Sequence, residues 1–216
     1  TDTCTISSNS CIATVAAGDL SGLNSGTTYT ITVALTADAA GNTATSDTGD
    51  TFLYDVTAPS ISNVVASWGD YLNAVEDNSD GTVTVTTLNS ANGATVTVTG
   101  MGVTDTCTIS SNSCIATIEG AHLRALSDGT TYTITVALSA DAAGNTATSD
   151  TGDTFVYDIT APGISLTASQ VSTGGSYNAA ISVTATFDES MTGIADGEVT
   201  ASGCSLSTLA GSGAVY

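Results

Sequence analysis

The chain contains a long segment twice. Thr1 to Ile61 realigns on Thr104 to Ile164 without a gap, and the blocks TDTCTISSNSCIAT, GTTYTITVAL, ADAAGNTATSDTGDTF and TAP recur almost unchanged. A period of roughly 100 residues is too long for one turn of a solenoid and matches the length of one β-sandwich domain. Whatever fold the chain adopts must therefore be one that can be built in series. The stretch Ala16 to Ser25 differs from Glu119 to Asp128, and this variability reads as a loop.

Within the complete copy, seven runs alternate apolar and polar residues: Ser60 to Ser67, Thr82 to Leu88, Ala94 to Thr99, Val103 to Ile109, Ile115 to Ile118, Thr130 to Leu138 and Thr146 to Tyr157. Period two is the signature of strands with one buried face. The runs are separated by NSDG, SANG, GMG, SSNS, SDG and AAGN, whose Gly, Asn, Asp and Ser suit turns. Seven short strands joined this way predict an all-β chain of tandem immunoglobulin-like antiparallel sandwiches. Aromatics make up only 5% of the residues, so the cores must be packed from small β-branched side chains.

Domain boundaries follow from the recurrent YD(V/I)TAP strings. Pro59 and Pro162 are the only prolines, and each fixes φ and restricts the residue before it, stiffening a short linker. The expected organisation is the C-terminal half of a repeat over 1–58, a complete repeat over 59–161, and the N-terminal part of a different repeat subtype over 162–216. The last segment, ISLTASQVSTGGSYNAAISVTATFDESMTG, does not match the sequence from Ile61 onward. Thr1 is no initiator, so a fragment or a processed product is expected.

Charge narrows the possible partners. One Lys or Arg, Arg124, stands against 21 Asp and Glu, for a net charge of -20. Neutralising a phosphate backbone needs Lys and Arg, so nucleic acid is excluded, as is a basic patch on anionic lipid. Cations are the natural partners. Apolar residues form 41% of the chain, too many for a disordered acidic tail, yet no run is long enough to span a bilayer. No direct membrane insertion is expected.

Cys4, Cys11, Cys107 and Cys114 fall in two copies of CTISSNSC, with Cys204 apart. The spacing lacks the CxxC knuckles and His ligands of a zinc site and lies in Ser/Thr-rich strand sequence, so Cys4 with Cys11 and Cys107 with Cys114 read as disulfides made in an oxidising compartment. They would staple a hairpin across strands four and five.

The strings DAAGNTAT and TFLYDVTAP, the upstream LNAVE and the SGLNSGTTYT block together resemble the bacterial immunoglobulin-like (Big) tandem repeats of large secreted or surface adhesins. That resemblance implies an extracellular stalk that holds a terminal binding domain away from the cell, with calcium stiffening the junctions between neighbouring repeats. The cysteines depart from the pattern.

Calcium takes six to eight oxygen ligands, so candidate residues must converge. Strand direction alternates, so the turn between strands six and seven lies at the pole of the domain's own N-terminus. Asp141 and Asn145 of DAAGN should then face Asp55 in the preceding linker. At the other pole, Asp70 and Glu76 should approach Asp158. Asp38 and Asn42 would face a preceding domain. The alternative is that these Asp and Asn side chains merely bond to local backbone.

Catalysis has little material. The only His, His122, lies in the variable loop with Asp19 as its counterpart, and Asp188 and Glu189 adjoin in one strand and so point to opposite faces. A carbohydrate- or protein-binding module is the competing class, and Thr ladders such as TVTVTT could adsorb to ice or a polysaccharide. The chain ends suggest either a longer protein cut at both ends or copies joined head-to-tail, 162–216 of one completing 1–58 of the next, in a filament.

Overall fold

The structure, a computed structural model, describes residues 2–192, 194, 200, 202–203, 205 and 210–215. In chain order the strands are β1 (Thr27–Val33), β2 (Asp47–Tyr54), β3 (Ser60–Ala66), β4 (Tyr71–Leu72), β5 (Gly81–Leu88), β6 (Thr95–Thr99), β7 (Thr104–Thr108), β8 (Ser113–Ile118), β9 (Thr130–Leu138), β10 (Asp150–Tyr157), β11 (Ile164–Ala168), β12 (Val183–Met191) and β13 (Gly213–Val215). Two single-turn helices, α1 (Ala17–Leu20) and α2 (Gly120–Leu123), occupy the variable segments read as loop, and a 3-10 turn covers Glu76–Asn78. The chain divides into two compact units, Thr1–Asp158 and Ile159–Tyr216.

The centre of the first unit is an immunoglobulin-like sandwich. One sheet has the order β3-β5-β8 and the other β4-β10-β9-β6-β7, every pairing being antiparallel except β10 with β4. The fourth long strand, β7, joins the sheet of β6, β9 and β10 and not that of β3, β5 and β8, unlike a constant-type immunoglobulin domain. Alternation places Val83 and Val85 of β5, Val96 and Val98 of β6, Ala116 and Ile118 of β8, and Ile134 and Val136 of β9 fully inside. The interleaved Thr residues turn outward. Phe155 anchors one end, with the Trp68 ring edge-on at 5.2 Å and Tyr132 stacked at 5.7 Å.

Cys107 and Cys114 are bridged, as are Cys4 and Cys11. The hairpin expected around the bridge is not there. β7 bonds to β6 and β8 bonds to β5, so Cys107–Cys114 ties one sheet to the other. The chain reverses at Ser111 and Asn112, both left-handed (φ 52° and 61°) and flanked by the Ser110–Ser113 bridge, and the strands then part. Inward-facing cysteines on both strands are what the bridge needs.

The last strand begins at Asp150 instead of Thr146, with an irregular register between Asp150 and Asp153. The segment 1–58, expected as the C-terminal half of a repeat, contributes two strands among the described residues, β1 paired with β2. Among the described residues, the counterparts of β7 and β8 carry the isolated Ser7–Ser10 bridge.

The second unit holds β11 antiparallel to β12, and β12 antiparallel to β13. The Gly163 amide donates to the Asp188 carboxylate at 2.7 Å. Cys204 lies outside the described residues.

Candidate junction sites

The DAAGN turn is built by its own first residue. One Asp141 carboxylate oxygen accepts from the backbone amides of Ala143 and Asn145, both at 2.9 Å, and the other accepts from the Asn145 side-chain amide at 2.9 Å. These donors, the Asn145 side chain foremost, hold the Asp141 carboxyl below its ordinary value. The Asp38–Asn42 turn repeats the arrangement at 2.8–2.9 Å with the same lowering. Local bonding of this kind was the alternative read from the sequence, and it is present in both copies.

What distinguishes the second turn is a contact across the linker. The Asn145 side-chain amide also donates to the Asp55 carbonyl at 3.2 Å. Asp141 and Asn145 are half-buried while Asp38 and Asn42 are exposed. The Asp55 carboxylate accepts from the Ser25 hydroxyl at 3.2 Å and the Thr57 amide at 2.9 Å. Two oxygens from different elements, one of Asp141 and the carbonyl of Asp55, thus converge on a single nitrogen. A hard cation there would need the Asn145 amide turned so that its oxygen, in place of its NH2, faces the Asp55 carbonyl and the Asp141 carboxylate.

At the opposite pole the chain is brought together through backbone. The Val156 amide donates to the Asp70 carbonyl at 2.9 Å and the Asp158 amide to the Leu72 carbonyl at 3.0 Å. Glu76 is taken up locally, accepting from the Asn73 amide at 3.1 Å. Among the described residues, no group of three or more His, Cys, Asp or Glu side chains could hold a metal ion.

The carboxylate most deeply placed was not singled out in the sequence. Asp77 is buried and accepts from the Tyr157 hydroxyl at 2.7 Å, while Arg124 donates to the Asp77 carbonyl at 2.7 Å. Burial first, then this hydrogen bond, pushes the Tyr157 hydroxyl up to about 12. Asp77 sits in the run EDNSD, where nothing in the sequence separates it from Glu76 or Asp80.

The strand order defines the class: an immunoglobulin-like β-sandwich. No protein-family model matches the chain, and no curated protein does. Among solved structures it is similar to a bacterial immunoglobulin-like domain from the M. primoryensis ice-binding adhesin, with 32% identity over 46% of this chain and 95% of that one, at a TM-score of 0.34. A second is a structure concerned with host cell surface retention of a 1.5-MDa bacterial ice-binding adhesin, at 27% identity, 69% of this chain and a TM-score of 0.39. A third is a Ca2+-stabilized adhesin that helps an Antarctic bacterium reach out and bind ice, at 28% identity, 86% of this chain and a TM-score of 0.43. The chain spans 46% and 45% of those two longer structures. The likeness to the first runs over nearly all of that domain's own length; the fold of this chain rests on the strand order above.

Proposed function

We propose that this chain is part of the extracellular stalk of a bacterial adhesin or surface filament, a mechanical spacer of tandem repeats divided near Ala58 and Ala161 and not an enzyme. The observation that carries the reading is the repeat itself: one closed sandwich over 59–158, entered through a short Pro-containing linker whose Asp55 is bonded to the next domain's own turn. No helix among the described residues is long and apolar enough to cross a membrane.

Calcium is expected at the junction of Asp55, Asp141 and Asn145, where the Asp55 carbonyl and an Asp141 carboxylate oxygen already face one atom, and the notional second site of Asp70, Glu76 and Asp158 forms no three-carboxylate cluster among the described residues. The net charge of -20 gives a divalent cation a general electrostatic gain on top of any specific ligation. Calorimetry of the chain with calcium, and again with a chelator, tests this. Calcium should raise the melting temperature, and Asp141→Asn should remove most of the rise while Asp188→Asn leaves it. An equal rise in both variants would reduce calcium to screening.

A second reading has one observation behind it. Thr104, Thr106 and Thr108 of β7 stand opposite Thr99, Thr97 and Thr95 of β6, and Thr99 stands opposite Thr135 of β9, a regular outward array of the kind that could adsorb to ice or a polysaccharide. Thr97→Lys with Thr106→Lys should abolish such adsorption in a pull-down and leave a pure spacer unaffected.

A further inference from the structure

We propose that Asn92 is a self-modification site, an asparagine held unreactive while the corner between β5 and β6 is closed and converted to aspartate and isoaspartate when that corner opens. Asn92–Gly93 is the chain's only Asn-Gly pair; every other Asn is followed by Ser, Thr, Val or Ala. A glycine in that place leaves its own backbone nitrogen uncrowded, free to attack the asparagine side chain before it. Asn92 is also exposed to water.

Water is the only co-reactant the conversion needs. The Gly93 nitrogen loses its proton and bonds to Cγ of Asn92, the Cγ–Nδ2 bond breaks, and the amide nitrogen leaves with that proton as ammonia. Water then opens the five-membered imide at either carbonyl. One opening gives aspartate; the other gives isoaspartate, whose main chain is longer by a CH2 group.

Both reacting groups are occupied in the closed domain. The Gly93 amide donates to the Ile109 carbonyl at 2.9 Å, and Oδ1 of Asn92 accepts from the Ser111 amide at 2.8 Å. The Ala94 amide closes the turn on the Ala91 carbonyl at 3.1 Å, with Gly93 at φ 92°, a position that calls for glycine. The turn thus demands the glycine, and the glycine brings the reactive pair with it. The Ser111 bond polarises the Asn92 carbonyl, but it also ties the side chain to the SSNS turn, away from its own peptide bond, while Ile109 holds the proton on the attacking nitrogen. Cyclisation therefore tracks the fraction of molecules in which this corner is open.

The isoaspartate product does not reclose. The Ile109 amide donates in turn to the Ala94 carbonyl at 2.8 Å, and Ile109 is 1% exposed, so residues 92–94 hold the end of β7 and a core side chain in place. An added main-chain CH2 displaces the Gly93 and Ala94 amides from their acceptors. Isoaspartate at 92 is a permanent record of opening and weakens the start of the β6–β7 pairing.

The test holds the full chain, disulfides intact, in mildly alkaline buffer and in the same buffer with urea, and follows Asn92 by peptide mass mapping with enzymatic methylation of isoaspartate. In urea Asn92 should react ahead of Asn89 and Asn112, and without urea at least about a hundredfold more slowly. Gly93→Ala should suppress the reaction in urea, because the attacking nitrogen is then crowded by its neighbouring Cβ. Cys107→Ser with Cys114→Ser removes the bridge beside this corner; it should speed the reaction in buffer and leave the rate in urea unchanged. The proposal is overturned if Asn92 reacts as fast in buffer as in urea, if Asn89 or Asn112 outruns it in urea, if Gly93→Ala leaves the urea rate as it was, or if the bridge-free chain reacts no faster in buffer.

Discussion

Tyr157 and Asp77 show how much a single pair can decide at the residue scale. A buried hydroxyl donating to a buried carboxylate leaves the acceptor unsatisfied when it is removed, so Tyr157→Phe should cost about 1–3 kcal/mol in urea unfolding. It should also change the alkaline limb. The unfolded tyrosine ionises near its ordinary value of 10 and the folded one at about 12, so its contribution is complete below pH 10 and is lost as pH rises from 10 to 12. The variant should lose that slope; an unchanged slope would mean that another group titrates. None of this was legible in the sequence, because pairing a tyrosine at a strand end with one acid among three depends on how the loop folds. The DAAGN turns were legible, since an Asp four residues before an Asn has few other ways to satisfy a tight turn.

Strand boundaries were read well where alternation was strict, as in β5, β6 and β9, and less well where pairing depended on distant strands. The short β4 and the irregular start of β10 could not be seen because neither has a period. The disulfides were legible from spacing, but their role was not: which sheet a strand joins is settled by packing across the whole domain. Closing a loop of about eight residues in the chain-entropy model is worth about 2.5 kcal/mol. Cys107→Ser with Cys114→Ser should therefore lower the stability of the central domain by roughly that amount, whereas Cys4→Ser with Cys11→Ser, in an exposed segment, should leave its unfolding midpoint in place. Glycines offer a second test. A Cβ at Gly100, which has φ 114°, would run into the Thr133 carbonyl, while one at Gly93 (φ 92°) meets nothing within 4 Å. Gly100→Ala should abolish cooperative folding, and Gly93→Ala should cost only about 1 kcal/mol of backbone strain, both read by circular dichroism on heating.

For the molecule as a whole, the repeat was the most informative feature, because it announced units that close their own cores. The spacer account depends on each repeat being self-sufficient, since a stalk extended by duplication needs units that fold without help from their neighbours. The direct measurement is a calorimetric melt of the isolated segment 59–161 beside the full chain under oxidising conditions. The account predicts one cooperative transition for the fragment, within a few degrees of the main transition of the full chain. A fragment that is unfolded, or that melts without cooperativity, would contradict it.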